Sequence, residues 1–306
     1  MNAPRPIARH RGVAFVLVLW VIATLSILLG SFAMITRTEN LQARHLFDTT
    51  RARYAAEAGL NLAVYELRKN DQLQRWIADG RAYAFQFDEA QVEVRLTDDS
   101  GKIDINTAKD EILASLFMRS GVEEEQAVAL AAAIEDWRDP DDLETPNGAE
   151  ADAYRAADLS YEPANEPFNT VSELQQVLGM SYALYEKVEP AITLYSGRGD
   201  PNLAYAPLEA LESIPGITPE VAAQIIAQRQ ALPPGYQPGV DGPPLTLPDG
   251  TPIPMASGGG LTYSVESRAT LPSGAHTVLE ATIRLGGVNA AGRPYTILRW
   301  RDGEAS

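Results

Sequence analysis

The feature that most constrains the fold is an uncharged, mostly apolar run of 23 residues from Val13 to Ile35. As an α-helix rising about 1.5 Å per residue, this run is about 34 Å long, enough to cross a bilayer core of about 30 Å. Arg5, Arg9 and Arg11 precede it, and a basic flank stays on the cytoplasmic side of a membrane. We therefore predict a transmembrane helix at residues 13–35, with a cytoplasmic N-terminus and the bulk of the chain exported.

The same helix is predicted to continue beyond the membrane, because no proline occurs between Pro6 and Pro140. Apolar residues recur at helical spacing on one face: Phe47, Tyr54, Ala58, Leu62 and Tyr65. We expect one helix over about residues 13–70, whose second half packs through this face on a globular head.

Alternating apolar and polar residues predict the strands of that head. They lie at 91–99, directly after the helix, and then at 261–271, 276–285 and 295–300. The predicted fold class is α+β: a long helix on a small antiparallel sheet, an arrangement that resembles the pilin fold, with the head formed by residues 71–100 and 261–306.

Residues 101–260 separate these strands and carry mainly helical patterns, so we predict a large α-helical insertion. Thr170 and Glu173 have the spacing of a capping box. Residues 231–260 contain eight prolines and seven glycines, which indicates a loop returning to the sheet.

The sequence has few features that are typical of a catalytic site. The chain has no cysteine, and its three histidines, His10, His45 and His276, are far apart. Nucleophile elbows, Walker loops and dinucleotide-binding fingerprints are absent from the sequence. We predict that the protein is not an enzyme.

The order of residues at the N-terminus suggests how the chain is processed. Gly12 stands before the apolar run, whereas a secretory signal places its small-residue cleavage site after it. Arg11-Gly12 followed by "VAFVLVLW" resembles the type III signal of type IV pilins and type II secretion pseudopilins. The resemblance implies that prepilin peptidase removes leader 1–12 after Gly12 and methylates Val13. The alternative is an uncleaved anchor.

Leu17 is the fifth residue of that mature chain, where the pilin family usually has a glutamate. The usual carboxylate compensates the buried amino terminus of a neighbouring subunit. A leucine there indicates a subunit with nothing above it, at the tip of a filament; the alternative is that the chain never enters a filament.

Together with the large insertion, these features resemble the K-type minor pseudopilins of the type II secretion system over nearly the whole chain. The resemblance implies an inner-membrane protein with its bulk in the periplasm, which initiates the pseudopilus and takes part in export across the outer membrane. The implied partners are the I-type and J-type minor pseudopilins and the major pseudopilin.

Acidic residues are concentrated in the insertion. The net charge is −16, and residues 101–200 hold 21 Asp and Glu against 7 Lys and Arg. The stretch 135–154 resembles the calcium-binding segment of K-type pseudopilins, and calcium prefers such oxygen ligands. The alternative is a solvated acidic loop. The resemblance implies the ligands Asp136, Asp139, Asp141, Glu150 and Asp152, with Asp142, Glu144 and Asn165 in reserve.

A second segment, 211–229, resembles a helix-hairpin-helix, a motif that holds phosphates in nucleic-acid binders. The second glycine of the usual hairpin is Thr218 here, and the surroundings are acidic. We expect packing rather than nucleic-acid binding. The alternative functions are therefore a membrane-anchored DNA-binding protein and a minor pilin of a type IV pilus; Leu17 and the insertion disfavour the pilin.

Overall fold

The computed structural model describes residues 13–71, 74–233, 246, 250, 252, 260–286, 292 and 294–303. Gly12 lies outside these residues, as does most of the predicted loop 231–260. Helix α1 spans Val13–Leu67, 55 residues without a break, about 82 Å at the usual rise.

The remaining elements follow in chain order. Strands β1 (Asp79–Phe87) and β2 (Ala90–Asp98) come directly after α1. The segment between β2 and the next long strand contains β3 (Ile103–Asp104), α2 (Asp110–Arg119), α3 (Glu124–Arg138), α4 (Ala151–Ala156), α5 (Tyr182–Val188), β4 (Ile192–Thr193), α6 (Leu208–Glu212) and α7 (Pro219–Gln230). Strands β5 (Thr262–Thr270), β6 (His276–Leu285) and β7 (Tyr295–Gly303) complete the chain.

The long strands form one antiparallel sheet of order β1-β2-β5-β6-β7. The strand before the insertion pairs with the strand after it, Val94 opposite Ser267. Helix α1 covers one face, and Leu60 and Leu96 are buried between them. The predicted fold class, a long helix on a small antiparallel sheet with a helical insertion, is confirmed.

The predicted packing face of α1 is wrong. Phe47, Tyr54 and Tyr65 are 63–64% exposed, and the sheet instead contacts a face of small and aliphatic residues. At its centre is Gly59, where an added Cβ would lie 2.1 Å from the Ser267 hydroxyl oxygen and 3.0 Å from the side chains of Val92 and Val94. Small residues let the helix backbone come close to the sheet, and large aromatic rings would hold it away. The buried helix residues are Ala52, Ala55, Ala56, Leu60, Ala63, Val64 and Leu67.

The expectation that residues 91–99 form the first strand is also wrong, because β1 precedes it. Its sequence alternates Tyr83, Phe85 and Phe87 with Ala82, Ala84 and Gln86, which is a strand pattern. As an edge strand, β1 carries less buried surface than β2, so its apolar signal is weaker.

The insertion has its own core, with Phe117, Ile134, Leu174 and Leu211 almost completely buried. The predicted capping box is confirmed at Thr170 and Glu173, but the turn it begins is a 3₁₀ helix, Val171–Gln176, rather than an α-helix. The Asp99 carboxylate joins insertion to sheet by accepting hydrogen bonds from Thr193 (2.7 Å) and Ser264 (2.7 Å).

Candidate functional site

The acidic loop of residues 139–150, which follows α3, is organised by Asp136. This side chain is fully buried at the end of the helix. Its Oδ1 accepts the backbone N–H of Thr145 (3.0 Å), and its Oδ2 accepts that of Ala149 (2.7 Å). Gly148 passes so close that an added Cβ would lie 2.0 Å from Oδ2. Both oxygens of Asp136 therefore hold the loop backbone in place.

Three other oxygens at this loop are buried without a hydrogen-bond partner among the described residues: Glu150 Oε1, Asp139 Oδ1 and Asn165 Oδ1. Glu150 is the most enclosed of the three residues, at 7% exposed. A buried acceptor without a donor costs about 1–3 kcal/mol. Carboxylate and amide oxygens are the ligand types that calcium prefers, so the chemistry of these side chains suits a calcium ion.

The electrostatics of the loop point the same way. Burial raises the pKa of Glu150, and the negative charges of Asp136, Asp139 and Asp142 raise it further. Burial likewise raises the pKa of Asp139, followed by the charges of Asp141 and Asp136. The arrangement concentrates negative charge that a bound cation would neutralise.

The remaining predicted ligands lie at the surface. Asp141 accepts the backbone N–H of Leu143 (2.9 Å), and Asp142 accepts the side-chain amide of Asn165 (2.7 Å). Glu144 is exposed. Asp152, on α4, pairs with Arg155 at 2.7 Å and is 86% exposed. In the part of the chain that the structure describes, no group of three or more His, Cys, Asp or Glu side chains is arranged to bind a metal ion.

An aromatic cluster, not predicted from the sequence, lies beside the loop. The ring of Trp137 stacks on Phe168 at 5.9 Å between centroids and contacts Tyr154 at 6.2 Å. Burial raises the pKa of Tyr154 to about 12, and its hydroxyl accepts the backbone N–H of Leu178 (3.0 Å). Aromatic residues spaced through an acidic stretch are the sequence signal that could have revealed this cluster.

Helix α1 presents the second candidate site. Every residue from Ala14 to Phe47 is exposed, including Leu17 at 61% and Trp20 at 74%. The helix is long and apolar enough to cross a membrane. Exposed apolar surface on this scale marks contact with lipid or another protein.

The helix-hairpin-helix segment is built from α6 and α7, with Thr218 capping α7 through the backbone N–H of Val221 (3.4 Å). Arg229 is the one basic residue between 208 and 230, and it is only 4% exposed. Its guanidinium donates to the carbonyls of Asp79 (3.0 Å) and Leu203 (3.3 Å). The segment itself therefore offers no accessible cation to a phosphate, which argues against DNA binding.

Known proteins share this architecture. In the crystal structure of the GspK-GspI-GspJ complex from the enterotoxigenic Escherichia coli type 2 secretion system, one chain superposes with a TM-score of 0.53 at 18% identity. The match covers 88% of this chain and 99% of that one. At this identity the match establishes the fold alone, a long helix on an antiparallel sheet with a helical insertion.

Sequence comparison finds similarity to the K protein of the type II secretion system over part of the chain. Residues 93–197 match the family model for type II secretion system protein K. The Klebsiella pneumoniae type II secretion system protein K is 26% identical over 205 residues, which is 60% of this chain and 62% of that protein. The Pectobacterium carotovorum protein K is 34% identical over 82 residues, 27% of this chain and 25% of that protein. The aligned part thus spans less than two thirds of these relatives, and the resemblance to K-type pseudopilins is confirmed.

Proposed function

We propose that this chain is a structural minor pseudopilin of the type II secretion system, anchored in the inner membrane with its bulk in the periplasm. The observation that carries this proposal is the unbroken helix α1, which is exposed and apolar at one end and packed on the sheet at the other. Such an element joins a membrane, or a filament core of similar helices, to a folded head. A structural role of this kind needs no catalysis.

The proposed partners are the I-type and J-type minor pseudopilins and the major pseudopilin. The Escherichia coli protein of the same fold was crystallised with GspI and GspJ. In this chain the aromatic face of α1, formed by Phe47, Tyr54 and Tyr65, points away from its own sheet. This face supports the proposal, because it extends the apolar surface of the span along the head. Its aromatic rings are rigid, so they lose little side-chain entropy when a partner helix packs on them.

We place the subunit at the tip of the pseudopilus, where it initiates assembly and takes part in export across the outer membrane. Leu17 supports this position, since it offers no carboxylate to the amino terminus of another subunit. The insertion adds a second folded body beside the sheet, which would need room at every repeat if the subunit recurred along the filament.

Calcium binding is the second part of the proposal. Asp139, Glu150 and Asn165 would hold the ion through their unpartnered oxygens, and the negative charges of Asp141 and Asp142, which act on Asp139 and Glu150, would add to its attraction. Asp136 would organise the loop, since both its oxygens already accept backbone N–H groups. A bound ion would stabilise the loop by neutralising the carboxylates there.

The mature N-terminus tests whether prepilin peptidase processes the chain as it does a pseudopilin. Intact-mass and peptide analysis of the protein from a membrane fraction should give a chain that begins at a methylated Val13. A Gly12→Leu variant, blocked at the cleavage site, should retain Met1 or Asn2, while Gly30→Leu, a matched change inside the span, should be processed normally. A parental protein that keeps its leader, or is cut near Ala33, would contradict processing by prepilin peptidase.

A further inference from the structure

The sheet and the insertion exchange arginines at their boundary. Arg81, on β1, donates from Nη2 to the carbonyl of Arg229 (2.8 Å) and from Nη1 to that of Leu232 (3.2 Å). Arg229, at the end of α7, donates from Nη2 to the carbonyl of Asp79 on β1 (3.0 Å). Each body thus uses one guanidinium to bind the backbone of the other.

The Arg81 guanidinium lies at the C-terminal end of α7, where a positive charge is favourable. The last carbonyls of an α-helix have no partner within the helix and carry partial negative charge. Arg81 meets two carbonyls at this end of α7, one on its last turn and one just beyond it. Its Nε and Nη2 also pair with Asp79 at 2.9 and 2.8 Å, which fixes the planar group in the orientation that reaches the helix.

Moving the Arg229 side chain into solvent would break its hydrogen bonds to the protein backbone. It is 4% exposed and donates to the carbonyls of Leu203 and Asp79, so its removal would take a buried donor away from both carbonyls. Burial lowers the pKa of Arg229 to about 10, and the group therefore remains charged at neutral pH.

We propose that Arg81 and Arg229 form a reciprocal latch that locks α7 onto the edge of the sheet. The latch makes the end of the insertion follow the head as one rigid body. When it is open, α7 separates from β1 while the sheet and the core of the insertion stay folded. The proposal is independent of the secretion function and of calcium.

Distance measurement in the full chain in detergent tests the latch. Because the chain has no cysteine, Ala84→Cys on β1 and Ala223→Cys on α7 place two spin labels at exposed positions without competing sites. The parental protein should give a single narrow distance distribution. Arg229→Met and Arg81→Met should each shift it to longer distances and broaden it, and the double variant should add little to either single change.

Arg268→Met is the matched control, since Arg268 on β5 faces a carboxylate two residues away on its own strand, Glu266, at 4.0 Å, as Arg81 does with Asp79. It should leave the distribution unchanged. If a methionine variant fails to fold, Arg81→Lys takes its place in the test. The single ammonium group of lysine cannot bond Asp79 and both carbonyls at once, so this variant should also shift the distances to longer values. Parental distributions in the folded variants, Arg81→Lys included, would overturn the latch.

Discussion

Glu150 is the side chain on which the chemistry of the acidic loop depends. One of its oxygens has no donor among the described residues, and burial, followed by the charges of three aspartates, raises its pKa. Asp152, two residues away, is exposed and paired with Arg155. Glu150 and Asp152 are therefore in different electrostatic environments, although they are close in sequence. Substitutions at these two positions should change the effect of calcium differently.

We predict that millimolar calcium raises the melting temperature of the parental protein relative to chelator, and that Glu150→Gln removes most of this shift. Glutamine keeps the size of the side chain but loses the charge that attracts the ion. Asp152→Asn, the matched control, should keep the shift. Differential scanning fluorimetry measures both, and an equal response to calcium and chelator in the parental protein would contradict the calcium site.

The pH dependence of Glu150 gives a separate prediction, made in chelator. Because the pKa of Glu150 is higher in the folded than in the unfolded chain, the folded chain binds this proton more tightly. The contribution of Glu150 to stability therefore falls as the pH rises through the folded-state pKa. At pH 7 without calcium, Glu150→Gln should be more stable than the parent by about 1 kcal/mol.

That difference should shrink toward zero as the pH falls to about 3, below the ordinary pKa of glutamate, where the carboxyl is protonated in both states. Denaturant unfolding at several pH values measures it, with Asp152→Asn as the reference for general charge effects. A parental protein that is the more stable at pH 7 in chelator would show that Glu150 is satisfied without a cation.

At the scale of elements, α1 shows which parts of the fold the sequence reveals. The uninterrupted apolar run and the missing prolines were sufficient to predict the helix, and strict alternation was sufficient for β2 and the three final strands. The packing face was not predictable from large apolar residues. The contact with the sheet depends on Gly59 and its neighbouring alanines, which have too little hydrophobic surface to stand out in a periodic pattern.

The acidic loop illustrates the same limit. Its composition and its resemblance to K-type pseudopilins were visible in the sequence, but the roles of individual carboxylates depend on which oxygens meet backbone N–H groups. Asp136 and Glu150 are both buried acids. Only the folded loop shows that the first is fully bonded and the second is not.

The corrected face of α1 leads to a prediction for the isolated chain. Leu60→Ala should reduce the free energy of unfolding by about 2–5 kcal/mol, because Leu60 is 1% exposed against the sheet. Tyr54→Ala, on the opposite face, should change it by no more than about 0.5 kcal/mol. Chemical denaturation in detergent measures both, and a larger loss at Tyr54 than at Leu60 would restore the face expected from the aromatic pattern.

At the scale of the whole molecule, each of three parts has its own proposed role: the sheet, the insertion and the exposed half of α1. The sheet holds the second half of α1, the insertion carries most of the excess negative charge, and the apolar half of α1 is left for lipid or neighbouring helices. Leu17 lies on this last surface, so its effect should be seen in assembly and not in the stability of the head.

We predict that Leu17→Glu allows the subunit to enter the filament at internal positions, because the new carboxylate can compensate a neighbour's buried amino terminus. Immunogold labelling of pseudopili should show the parental subunit at one end and the variant along the length. Leu17→Met, which changes shape without adding charge, should label as the parent does. Parental protein found repeatedly along the filament would contradict a tip position.

The unbroken course of α1 also has a mechanical consequence. Residues 36–67 continue the same helix for 32 residues past the apolar run, a lever of about 48 Å. In a bilayer, a tilt of about 20°, common for transmembrane helices, would carry the far end of this lever sideways by about 16 Å. Because α1 is unbroken, no hinge along it absorbs the movement. A small change in the tilt of the span would therefore displace the folded head by a large distance.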